Sequence, residues 1–150
     1  MYGKANMANA NGGDIVSMGE ARAQAVVDAT EIGVLANHQS ATGAAGAIAP
    51  SLAAGAGRLN YCTGFEITFG GATGASLVAV TLTGVKGGTQ NFVLAVPAGA
   101  AVGGAPLIVA WRKPLEASAI NTAITLSIPS LGAGNTNVAA NLHGFSIEAT

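Results

Sequence analysis

From Arg58 onward the large side chains fall on alternate positions: Leu59, Tyr61, Thr63, Phe65, Ile67 and Phe69, with Asn60, Cys62, Gly64, Glu66 and Thr68 between them. Period two marks a strand buried on one face. The larger set is the expected core face, and burying each Phe and the Ile contributes roughly 1.5–3 kcal/mol. Phe65→Ala is therefore expected to be among the most destabilising changes in the chain. Five further strands are predicted, from Leu77 to Val85, Asn91 to Val96, Leu107 to Arg112, Ile120 to Ile128 and Thr136 to Glu148. Turn chemistry separates them, in order Gly87-Gly88, Pro97 through Pro106, Pro114, and Pro129 through Asn135. No amphipathic stretch of helical length interrupts the series. The expected fold is therefore all-β, an antiparallel β-sandwich of jelly-roll type, and not a parallel sheet built from βαβ units.

Upstream the pattern weakens. Residues 1–18 are rich in Asn, Gly and Ala with scattered Tyr2, Met7, Ile15 and Met18. Such a composition does not fold alone and reads as an extended N-terminal arm. Ser17 and Glu20 fit a capping box, and good helix formers follow until Gly33 can stop a short helix. Val26, Val27, Thr30, Ile32 and Val34 also suit an extended segment, so helix holds only a slight edge there. From Ala36 to Gly57 the chain is Ala, Gly, Ser and Thr with Pro50, a linker or wrapping loop with room for one short strand. The expected organisation is an arm and linker over 1–56 and a β-sandwich domain over 57–150.

Composition narrows the function. Only 9% of the 150 residues are charged against a usual quarter or so, 22 are Gly, and the net charge is -1. Phosphate neutralisation needs several clustered Lys or Arg, so nucleic acid is not an expected partner. Self-repulsion this weak is a poor condition for a free monomer and points to an obligate oligomer or assembly component. The uncharged stretch from Phe92 to Trp111 is long enough to raise a membrane span. Its Pro97, Gly99, Gly103, Gly104 and Pro106 read instead as strand, loop, strand. The N-terminal stretch lacks the apolar run of a secretory signal, and synthesis inside the cell is expected.

The candidate chemistry is sparse. Cys62 has no second cysteine to pair with and reads as a buried small hydrophobe. His38, in an expected loop, and His143, on an expected strand edge, lie far apart with no ligand at metal spacing. The carboxylates Asp14, Asp28, Glu31, Glu66, Glu116 and Glu148 stand isolated. Gly70–Gly74 and Gly84–Thr89 lack both the spacing and the following helix of a phosphate-binding loop and read as hairpin turns. Arg112-Lys113-Pro114 is the one basic doublet, a solvated strand end. No catalytic residue, cofactor or metal is expected. Tyr61, Phe65, Phe69 and Trp111 are expected in the core or at a subunit interface.

Two stretches carry a resemblance. Gly57-Arg-Leu-Asn-Tyr-Cys-Thr-Gly64 opens the first strong strand, and Ile120-Asn-Thr-Ala-Ile-Thr-Leu126 precedes a Gly-rich turn and a last strand with His143-Gly144-Phe145. Over roughly residues 57–150 this pattern resembles the small β-sandwich virion proteins of tailed bacteriophages that decorate or cement the head. The resemblance implies a non-enzymatic homotrimer on the capsid surface, made in the host cytoplasm, that clamps neighbouring major capsid protein subunits. It makes Tyr2, Lys4, Met7, Ile15 and Met18 candidate capsid contacts of the arm, which would anchor by strand pairing. The competing expectations are a tail or neck component, and a carbohydrate- or receptor-binding module of a phage fibre with Trp111 as the stacking ring.

Overall fold

The computed structural model describes residues 33–43, 46–99, 102–135 and 137–149. The chain divides into two units, Met1–Leu35 and Ala36–Thr150, and only residues 33–35 of the first are described. The helix expected between Ser17 and Gly33 and the arm residues Tyr2, Lys4, Met7, Ile15 and Met18 lie outside the described residues.

Among the described residues every element is a strand: β1 (Val34–Gly43), β2 (Ser51–Leu52), β3 (Arg58–Thr68), β4 (Ser76–Thr83), β5 (Gln90–Val96), β6 (Leu107–Glu116), β7 (Ile124–Ser127) and β8 (Val138–Glu148). They form two antiparallel four-stranded sheets with the orders β1-β8-β3-β6 and β2-β7-β4-β5. Strands of both sheets alternate buried and open positions, and their inward residues form one shared core, giving a sandwich-like fold. Phe65, Ile67 and Leu142 come from the first sheet, Val80, Leu82, Leu94, Ile124 and Leu126 from the second. The Phe65 ring meets the edge of Phe92 across the two sheets, with centroids 5.0 Å apart.

The strand at Arg58 differs from its expected facing. Its register shifts between Cys62 and Gly64 against both neighbours, β6 and β8. A bulge adds one residue to one strand and so reverses the side-chain phase beyond it. Asn60 and Cys62 therefore point inward before the bulge, and Phe65 and Ile67 after it. Leu59 sits at the core's margin, and Tyr61 leaves the core to stack on Phe145, centroids 5.1 Å apart and 12° from parallel. Gly64 fits this crossing because a Cβ there would collide with the Val109 carbonyl oxygen and crowd Ala110 Cα at 3.2 Å.

The inverted phase places an amide in the core. Asn60 is 1% exposed. Its Nδ2 donates toward Leu52 O at 3.2 Å, Ala53 O at 2.9 Å and Thr122 O at 2.9 Å, and its Oδ1 accepts from Asn37 Nδ2 at 3.4 Å. One side chain thus fastens the end of β2, the turn before β7, and β1. Burial of this amide is offset because its donors and acceptor all have partners.

Other boundaries moved for physical reasons. The stretch expected as linker supplies β1 and β2. The strand expected over Ile120–Ile128 shrinks to β7, because Asn121 takes positive φ and its Oδ1 accepts the Gly57 N–H at 2.7 Å, making a turn. β6 continues through Pro114, which an outermost strand tolerates. The hairpin from β4 to β5 turns at Gly87 and Gly88, both at positive φ, as expected.

Candidate functional site

The expected site residues separate in space. Phe65 and Phe69 are buried at 1% and 7% exposure. Trp111 is half-buried at the rim of the core with its ring 5.9 Å from that of Phe65. Tyr61 is turned outward, a correction to its expected place on the core face. Cys62 is fully buried, its Sγ pointing at the Gly64 carbonyl, and desolvation pushes the thiol up to about 11. A thiol held neutral and covered is not a nucleophile.

The outer face of the β2-β7-β4-β5 sheet is the first candidate surface. Its outward residues are Ser51, Thr125, Ser127, Thr81, Thr83 and Asn91 at one end and Leu77, Ala79, Val93 and Ala95 at the other. Ala79 lies opposite Val93 and Leu77 opposite Ala95 across β4 and β5, so the four form a contiguous apolar corner. Leu77 is 76% and Val93 67% exposed. No side chain on this face is charged. β5 is the outermost strand of its sheet, and Gln90-Asn-Phe-Val-Leu-Ala-Val96 carries neither charge nor Pro. Free edges of solitary domains are ordinarily blunted with Lys, Pro or a bulge. Alternation along β4 and β5 made this sidedness available from the sequence, whereas the pairing of Leu77 with Ala95 required the hairpin register.

The outer face of the other sheet carries the polar chemistry. His38 on β1 and His143 on β8, read as distant loop and edge residues, are on adjacent strands, with ring centroids 5.5 Å apart at 64°. Glu66 on β3, read as isolated, accepts a 2.7 Å hydrogen bond from Asn141 Nδ2 and places Oε1 3.9 Å from His143 Nε2. His38, Gln39, Ser40, Asn141 and His143 line a shallow depression of about 240 Å³. Among the described residues no three His, Cys, Asp or Glu side chains are grouped so as to hold a metal ion as they stand. The Lys86–Glu116 pair, 3.1 Å apart and exposed, is an ordinary solvated ion pair of little energetic weight.

No helix among the described residues is long and apolar enough to cross a membrane. Neither Gly70–Gly74 nor Gly84–Thr89 is followed by a helix; the first joins β3 to β4 and the second β4 to β5. Comparison with family models, with curated proteins and with solved structures finds no match to this chain.

Proposed function

We propose that this chain is a non-enzymatic structural protein of a virion, which decorates or cements the capsid by binding neighbouring major capsid subunits. The observation that carries this reading is the uncharged outer face of the β2-β7-β4-β5 sheet with Leu77 and Val93 open to solvent. Apolar side chains of that size, contiguous and without a charged rim on their own sheet, are suited to burial against other protein. Each fully buried would contribute about 1.5–3 kcal/mol to association. The face is the contact between copies of the chain in a homotrimer. The arm of residues 1–18, with Tyr2, Lys4, Met7, Ile15 and Met18, reaches the major capsid protein, and many weak attachments sum over the lattice.

The fold proposed for this role is a jelly roll. The sheet orders make neighbours of β1 and β8, β2 and β7, β3 and β6, and β4 and β5. That nesting arises when one long antiparallel ribbon of eight strands is rolled up, which supports the finer assignment.

The test is sedimentation equilibrium of the full chain beside the double variant Leu77→Lys, Val93→Lys, with circular dichroism to check that both fold. A wild-type trimer that the double variant reduces to monomer supports the reading. A variant that associates as fully as the wild type removes the face from the interface. Deleting residues 1–18 is expected to weaken attachment to capsids while leaving the sheets folded, and unimpaired attachment would deny the arm its anchoring role.

A further inference from the structure

The outer face of the β1-β8-β3-β6 sheet holds an arrangement that the assembly role does not use. The chain has two histidines, and both are at this one place. We infer that His38 and His143, with Glu66 as third donor, form a binding site for a single divalent transition-metal ion of the zinc class on three adjacent strands.

Three observations converge on it. Two imidazoles sharing one ion through metal–nitrogen bonds of about 2.0–2.1 Å hold their ring centres about 5–5.5 Å apart at tetrahedral to trigonal angles. The observed 5.5 Å and the 64° tilt suit that geometry. Glu66 on β3, two residues along from the Gly64 that pairs with His143, places Oε1 3.9 Å from His143 Nε2. Asn141, opposite Glu66, donates to its Oε1 and so orients the carboxylate from outside, the usual task of a group behind a metal ligand. The Glu66–His143 separation of 3.9 Å exceeds the roughly 3.3 Å expected of two donors on one tetrahedral ion, so the ion would draw the carboxylate inward by side-chain rotation. Imidazole nitrogens with one carboxylate favour Zn²⁺, Ni²⁺ or Cu²⁺ over Mg²⁺ or Ca²⁺. The remaining positions fall to water in the open depression beside Gln39 and Ser40. Bound there, the ion ties the outermost strand β1 to β8 and β3.

Isothermal titration of ZnCl₂ into the full chain, purified without a histidine tag in metal-free buffer, tests the site. One saturable ion per chain is expected. Affinity should fall about tenfold or more in both His38→Ala and His143→Ala, and severalfold in Glu66→Gln. Histidine C2–H resonances of the wild-type protein should shift together on zinc addition, a readout that needs no variant to fold. Saturating zinc should also raise the Tm by several degrees. Absence of a saturable wild-type isotherm, unmoved histidine resonances, or binding undiminished in either histidine variant would overturn the site. Because these residues are on the sheet opposite Leu77 and Val93, such a failure leaves the proposed assembly surface unaffected, and the reverse also holds.

Discussion

Asn60 shows how a single buried polar residue can organise loops that have little core of their own. Its amide nitrogen faces three backbone carbonyls, from Leu52, Ala53 and Thr122, the first of these contacts buried and the other two part-buried. Asn60→Ala removes the donors and leaves the buried Leu52 carbonyl and two part-buried ones without them, and each buried unsatisfied group costs about 1–3 kcal/mol. The expected loss is about 2–3 kcal/mol in a urea titration. A change under about 0.5 kcal/mol would mean that these carbonyls are solvated in the native state. Cys62 gives a pH-dependent counterpart. Burial pushes its native thiol up to about 11 from an ordinary 9.0, so the native state binds the more protons between those two values. Stability from this group is full below about pH 9 and is lost as pH rises toward 11. The total is at most about 2–3 kcal/mol. Because tyrosines and lysines titrate in the same window, the measurement is the difference in urea midpoint between wild type and Cys62→Ala from pH 8 to 10.5. The gap should narrow as pH rises. A parallel pair of profiles would show that the thiolate is accommodated without loss.

At the scale of elements, strands were legible in proportion to how completely they bury one face. β4, β5 and β8 alternate cleanly because each packs one side on the core and leaves the other open. β1, in a stretch that reads as a linker with room for one short strand, is not legible at its full ten residues for the opposite reason. None of its ten residues is fully buried, so Asn37, His38, Gln39 and Ser40 leave no apolar period to read. The meeting of His38 with His143 was therefore invisible, since it depends on β1 lying beside β8. β3 misled in a different way. Its sequence alternates without a break, yet the bulge at Thr63 reverses the phase, and only the paired strands determine where that occurs. Gly64→Ala tests the bulge directly. The added methyl would strike the Val109 carbonyl, a backbone atom of the paired strand that cannot rotate away. Overpacking of this kind costs about 1–3 kcal/mol or more. A Tm lowered by several degrees is expected, together with faster hydrogen exchange along β6. Undiminished stability would show that the β3–β6 crossing can widen at no cost.

At the scale of the whole molecule, the governing fact is how little charge the chain has and where that charge lies. The net charge is -1, the outward side of the β2-β7-β4-β5 sheet has no ionisable group, and Glu66, His143, Arg112 and Lys113 belong to strands of the other sheet. Association through the Leu77 and Val93 corner would then draw on apolar burial and not on Coulomb attraction. The two differ in their response to salt. Charged contacts are screened as the Debye length falls from about 10 Å near 0.1 M to about 3 Å near 1 M. Apolar burial is left intact by sodium chloride and strengthened by sulfate, which is excluded from protein surface. The association constant measured by sedimentation should thus be unchanged between about 0.1 and 1 M NaCl and should rise in sulfate at equal ionic strength. A tenfold or greater weakening in NaCl would place the contact on the charged sheet. The interface would then have to be sought around Arg112, Lys113 and Glu66, with the uncharged face left to the capsid.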